Sequence, residues 1–183
     1  MTVGEYTLLT VQALLAGVFA MAAFSKLRGR ADFGRFVTTV RKLTMRSGPS
    51  TTVIAAVFAV VEAVTAILIA VPATARAGFA LATGLLVLLI GVVFRAVRGR
   101  VFAECGCFGR RSALLSYPLL VRNVLLLAAA VAGVVLGRFA SPVGPLWHGA
   151  ALAAGVVLAS LLLHGYDLAV AAVFKRLRPE PAA

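Results

Sequence analysis

From Thr51 to Val71 the chain runs T-T-V-I-A-A-V-F-A-V-V-E-A-V-T-A-I-L-I-A-V, apolar throughout and interrupted only by Glu62. About 20 mostly apolar residues suffice for a helix to cross the hydrocarbon core of a bilayer. Inside that core no water satisfies the backbone, so a span of this length must be helical. The fold class follows from whether the rest of the chain repeats this pattern.

It does so four more times. A first span covers about Tyr6 to Ser25 and a third covers Ala77 to about Val97. A fourth runs from about Tyr117 to Phe139, with Arg122 and Asn123 near its start. A fifth begins near Leu146, meets no charge before Asp167 and continues toward Lys175. The sequence therefore predicts an all-α, polytopic membrane helical bundle with a four-helix core and a fifth, C-terminal transmembrane helix. Neither an internal repeat nor a low-complexity linker divides residues 1–183, which form a single integral membrane domain on this reading.

Composition agrees. Of 183 residues, 62% are hydrophobic and only 13% charged, against about half and a quarter in a soluble domain. A net charge of +12 on a soluble chain would point to nucleic acid. Here the basic residues fall between apolar runs, so they report topology and lipid headgroups, and nucleic acid is not expected as a partner. The start, M-T-V-G-E-Y, has no basic segment ahead of its apolar run, which favours a retained span over a cleaved signal peptide.

The connections differ sharply in charge. The first holds Lys26, Arg28, Arg30, Arg35, Arg41, Lys42 and Arg46, and the third holds Arg95, Arg98, Arg100, Arg110 and Arg111. The tail adds Lys175, Arg176 and Arg178, whereas the second and fourth connections hold Arg76 and Arg138 alone. The positive-inside rule then puts the N-terminus outside and the C-terminus in the cytoplasm of a plasma-membrane protein. In the first connection Phe33, Phe36, Val37 and Val40 recur at helical spacing opposite Arg35, Arg41 and Lys42, with Asp32 as a candidate N-cap. Both a short interfacial helix and an ordinary basic loop accommodate that pattern. Ser47-Gly48-Pro49 breaks the chain before the second span.

Chemistry concentrates in the third connection, E-C-G-C-F-G-R-R from Glu104 to Arg111. Its Cys105 and Cys107 are the chain's two cysteines. A C-x-C pair can close a small, strained and easily reduced disulfide, and Gly106 eases the backbone it needs. Arg110 and Arg111 favour thiolate, Glu104 opposes it, and a following helix capped by Ser116 would add its partial positive end. Two inert cysteines are the plain alternative. A closed four-ligand metal site is not expected, because His148 falls on the other side of the membrane and His164 deep in the fifth span; a two-thiolate copper site is the remaining metal reading.

Polar residues inside the spans form the second constellation. Charged Glu62 would be costly in lipid unless protonated or paired, and Lys26 and Arg122 are its candidate partners. A proton relay, contact with a cofactor headgroup and a structural ion pair are all consistent with it. Ser25 and Lys26 close the first span; Arg122 and Asn123 open the fourth. That basic pair suits an anionic substrate, a lipid headgroup or a quinone oxygen, while Lys26 could instead snorkel. Gly133 and Gly137 match G-x-x-x-G, which serves bundle packing as well as dimerisation.

F-S-K-L at Phe24–Leu27, Glu62, C-G-C-F-G at Cys105–Gly109 and V-R-N at Val121–Asn123 together resemble the MauE family of membrane proteins, related to DoxX. The resemblance covers roughly residues 6 to 140 and leaves out the fifth helix. It implies a four-helix membrane bundle with a part in redox maturation of partner proteins, alongside a thioredoxin-like or other thiol partner. The expected function is thus thiol–disulfide handling by Cys105 and Cys107, supported by a pocket of Glu62, Lys26, Ser25, Arg122 and Asn123. A quinone is a compatible cofactor. A non-enzymatic scaffold for a maturation partner, or a small transporter or copper carrier, are the competing classes. Disulfide formation suits the outer face, whereas the charge count puts the cysteines inside.

Overall fold

A computed structural model describes residues 3–44, 48–98, 104–105, 113–114, 117–137, 149–161 and 165. They form a helical bundle. The elements are α1 (Val3–Leu27), α2 (Arg30–Thr44), α3 (Pro49–Ala70), α4 (Ala75–Arg98), β1 (Glu104–Cys105), β2 (Ala113–Leu114) and α5 (Tyr117–Leu136). A further helix, α6, spans Gly149–Leu161. Thr7–Leu27, Pro49–Ala70 and Ala75–Arg95 are long and apolar enough to cross a membrane, with mean hydropathies of 1.9, 2.7 and 2.5. Leu120–Leu136 and Gly149–Leu161 are shorter apolar helices. The expected continuation of the fifth span toward Lys175 falls outside the described residues, apart from Gly165.

The bundle closes as a ring, α1 against α3, α3 against α4, α4 against α5 and α5 back against α1. Its solvent is visible in α3. The inner face carries Thr51, Ala55, Ala59, Glu62, Thr65, Ala66 and Ile69. The outer face carries Val53, Val57, Val60, Val64 and Ile67. Small and polar residues inside with large β-branched residues outside would be inverted for a helix in water. In lipid the outer face loses nothing by exposure, and small inner residues let backbones approach closely.

Local chemistry sets the corners. Gly48 adopts φ +136°, a region open mainly to glycine, and Pro49 follows at the first helical turn of α3. At the far end of α3 the last carbonyls need donors. Gln12 of α1 donates Nε2 to the Ile69 carbonyl at 2.7 Å, and Thr74 donates Oγ1 to that of Leu68 at 2.9 Å. Gly78 then lets α4 pass close to α3: a Cβ there would sit 2.6 Å from the Ile69 nitrogen. Gly133 presses on Phe79 of α4 so tightly that a Cβ would meet the ring at 2.6 Å. Of the two readings of its G-x-x-x-G motif, packing within the bundle is therefore the one realised at Gly133.

The amphipathic segment of the first connection is α2, a helix rather than an irregular loop. Phe36, Val37 and Thr39 are buried, and Phe36 and Val37 pack with Ala55 of α3 and Val93 of α4. Asp32 lies within the first turn instead of capping it. It accepts from Arg28 Nε at 2.8 Å and from Arg35 Nη2 at 3.0 Å, and the carboxylate raises the Arg28 pKa above its ordinary value.

Candidate functional site

Lys26 and Glu62 meet inside the bundle. Lys26 ends α1 with only 1% of its surface exposed and is among the largest fully buried side chains. Its Nζ donates to Glu62 Oε2 on the inner face of α3. A lysine at the end of a span normally extends toward water. Here α2 closes over it. The ammonium stands 4.8 Å from the centroid of the Phe36 ring and 5.9 Å from that of Phe58. The two rings are 6.4 Å apart and tilted by 51°. One carboxylate oxygen and two aromatic rings thus surround the cation, the rings adding cation–π attraction where water is scarce.

Of the two cations proposed for Glu62, Lys26 takes the position. Arg122 and Asn123 are also buried, at 8% and 1% exposure, in the first turns of α5. Leu120, two residues before Arg122, packs on the cluster that includes Phe36, Val93 and Phe58. Asn123 Nδ2 has no hydrogen-bond partner among the described residues. A buried amide donor is costly unless matched, so it marks a place where an acceptor would be held. Ser25 is half-buried, and its hydroxyl donates to the Ala22 carbonyl of its own helix at 2.8 Å.

Cys105 lies in β1, where it pairs antiparallel with Ala113 while Glu104 pairs with Leu114. This short ladder joins two described segments of the chain between α4 and α5, and β1 runs beside α2. The helix that covers Lys26 is therefore also the neighbour of the Cys105 backbone. Cys107, Gly106, Arg110, Arg111, Ser116, His148 and His164 fall outside the described residues.

Two contributors were not legible as such. Gln12 was hidden as one amide in an apolar run, yet it caps α3. Phe58 read as ordinary span, and only the closure of α2 makes it a wall of the cation site. An amide or carboxylate in an otherwise apolar run is the signal that could have singled out both helices.

The family model described as methylamine utilisation protein MauE matches residues 4–136. That segment includes α1 to α5, both cysteines and all the buried polar residues above, and it ends before α6. A similar protein is the methylamine utilization protein MauE of Paracoccus denitrificans, 36% identical over 126 residues. The alignment covers 67% of this chain and 65% of that relative, so the chain spans just under two thirds of the relative's length. No solved structure matches. With most of its length matched by the family model, and with a relative at this identity, the chain belongs to the MauE family.

Proposed function

We propose that this chain is a membrane-embedded thiol–disulfide redox protein that assists the maturation of a partner protein through Cys105 and Cys107. The family description supports a setting in methylamine utilisation; disulfide handling is the chemical content we add. The observation that supports the proposal is Cys105, the first cysteine of the C-G-C sequence, in a strand lying beside α2, the helix that seals the Lys26–Glu62 pair.

In the forward step a Cys105 or Cys107 thiolate attacks one sulfur of a partner disulfide. A mixed disulfide forms and the partner's other sulfur leaves as thiolate, taking up a proton. The second cysteine of the pair then attacks the mixed bond. The pair ends as a disulfide and the partner as a dithiol, with two electrons and two protons transferred. Run in reverse, the same two exchanges oxidise a partner dithiol. The partner expected is a thioredoxin-like or other thiol protein. The buried ion pair does not exchange electrons; it holds α1 and α3 together under α2, the neighbour of β1.

Substituting Cys105→Ser, Cys107→Ser, or both, tests this directly. Each variant should accumulate in the membrane at the wild-type level, yet fail to mature the partner. Alkylation trapping in intact cells should show two interconverting states for the wild-type pair and one for each single variant. A double-serine chain that still matures its partner would refute the redox role and leave a scaffold, whose exposed Arg30, Arg35, Arg41 and Lys42 on α2 would supply the contact.

A further inference from the structure

A cavity of about 130 Å³ lies under α2, between it and the outer faces of α3 and α4. Its wall is formed chiefly by Phe36, Val40 and Leu43 of α2, Phe58 of α3, and Leu89 and Val93 of α4. Two threonines of α2 also line it, but their hydroxyls are turned to their own helix. Thr39 Oγ1 donates to the Arg35 carbonyl at 3.2 Å and Thr44 Oγ1 to the Val40 carbonyl at 2.8 Å. What remains is an apolar wall, unsuited to a metal, an anion or water. An apolar cavity of about 150 Å³ takes up a benzene ring and stays dry, so this one has room for a short run of hydrocarbon.

The cavity opens sideways, toward lipid. Ile54 and Leu88 belong to its lining and are nonetheless 41% and 54% exposed. Leu88, Val92 and Arg95 follow one another at spacings of four and three, so they form one stripe along α4. Arg95 is exposed and forms no ion pair among the described residues. One turn further on, the Arg98 guanidinium stacks over the Phe94 ring at 5.0 Å. The mouth of an apolar slot thus leads along a helix face to two cations at the interface.

We infer that this slot is a binding site for an anionic membrane lipid, whose acyl chain enters between α2, α3 and α4 while its phosphate rests on Arg95 and Arg98. The chain would press on the Phe36 and Phe58 rings, which carry the Lys26 ammonium near them. Lipid occupancy would therefore hold in place the rings that close the buried ion pair. Neither cysteine is among the residues that line the slot, and the proposal does not depend on their chemistry.

The test uses the full chain in vesicles, with the native tryptophan removed by Trp147→Phe and a reporter placed at the mouth by Leu88→Trp. Phosphatidylcholine vesicles receive a fixed fraction of lipid brominated on its acyl chains, either phosphatidylcholine or phosphatidylglycerol. Bromine quenches the tryptophan in proportion to lipid occupancy. The anionic lipid should be preferred about 25-fold, as expected for two basic side chains near an anionic headgroup at about 1 kcal/mol each. Arg95→Ala should cut that preference to about fivefold, Arg95→Ala with Arg98→Ala should abolish it, and Arg95→Lys should retain it; a reporter at the exposed Val131, introduced by Val131→Trp, should show none. Equal quenching by both lipids at the Leu88→Trp reporter would overturn the proposal. So would release of the brominated lipid by a short-chain quinone, which would assign the slot to a quinone instead.

Discussion

Lys26 and Glu62 show how a single pair organises a bilayer protein. Either charge alone in the bundle interior would be strongly disfavoured, and each is tolerated because the other neutralises it. Removing one partner strands the other. Lys26→Met should lower stability by about 3–5 kcal/mol, the cost of an uncompensated buried charge, measured by denaturant unfolding of the detergent-solubilised chain. Replacing both, Lys26→Met with Glu62→Leu, should recover most of that loss. Additive losses in the double variant would mean that the two side chains are not coupled. Both residues were visible in the sequence as polar interruptions, and Glu62 was visibly in need of a cation. The choice of Lys26 over Arg122 was not visible, because both lie near span ends and both are buried, and only the packing of α1, α2 and α3 brings Lys26 to Glu62.

At the scale of elements, α6 is the addition. It lies beyond the family-matched residues and packs on α1 through small residues. A Cβ on Gly155 would come within 2.4 Å of Ala13, and one on Gly17 within 2.9 Å of the Val156 Cα. Ser160 Oγ also approaches Met21 Sδ at 3.1 Å. In lipid such close backbone contact replaces the hydrophobic effect as the source of association. Gly155→Leu should therefore cost about 1–3 kcal/mol, as overpacking generally does, whereas Gly149→Ala, with nothing within 4 Å, should be silent. Unfolding midpoints of the two variants decide it; equal midpoints would mean that α6 does not bear on α1. The apolar helix itself was legible from hydropathy, where a full span was expected; the described helix, Gly149–Leu161, is shorter. Its seat on α1 was not, since glycine and alanine are spread along every helix of the chain.

For the whole molecule, charge asymmetry between the connections is the largest sequence signal after hydropathy. Seven basic residues in the first connection, five in the third and three in the tail oppose Arg76 and Arg138 on the other side. The topology expected is N-terminus outside, with Cys105 and Cys107 facing the cytoplasm. A membrane-impermeant maleimide added to intact cells should then leave both cysteines unmodified, and label them after permeabilisation under reducing conditions. Labelling before permeabilisation would place the pair on the outer face, where oxidative folding of secreted partners takes place. The direction of the proposed exchange follows from that side: electrons from a cytosolic donor in the first case, removal of electrons from a partner dithiol in the second.

Hydropathy alone determined that this chain is a bundle of membrane helices, because a backbone in hydrocarbon must satisfy its own hydrogen bonds and an apolar run of about 20 residues does so within one segment only as a helix. The breaks were equally local: Gly48 and Pro49 act through their own backbone angles, whatever surrounds them. Tertiary structure alone decided which cation meets Glu62, that Phe36 and Phe58 wall that cation in, that Gln12 caps α3, and that an apolar slot opens beneath α2. Those features depend on which faces of the helices turn toward one another. In lipid both the inner and outer faces are apolar, so periodicity carries little of that information, and the few polar atoms are left to set the register.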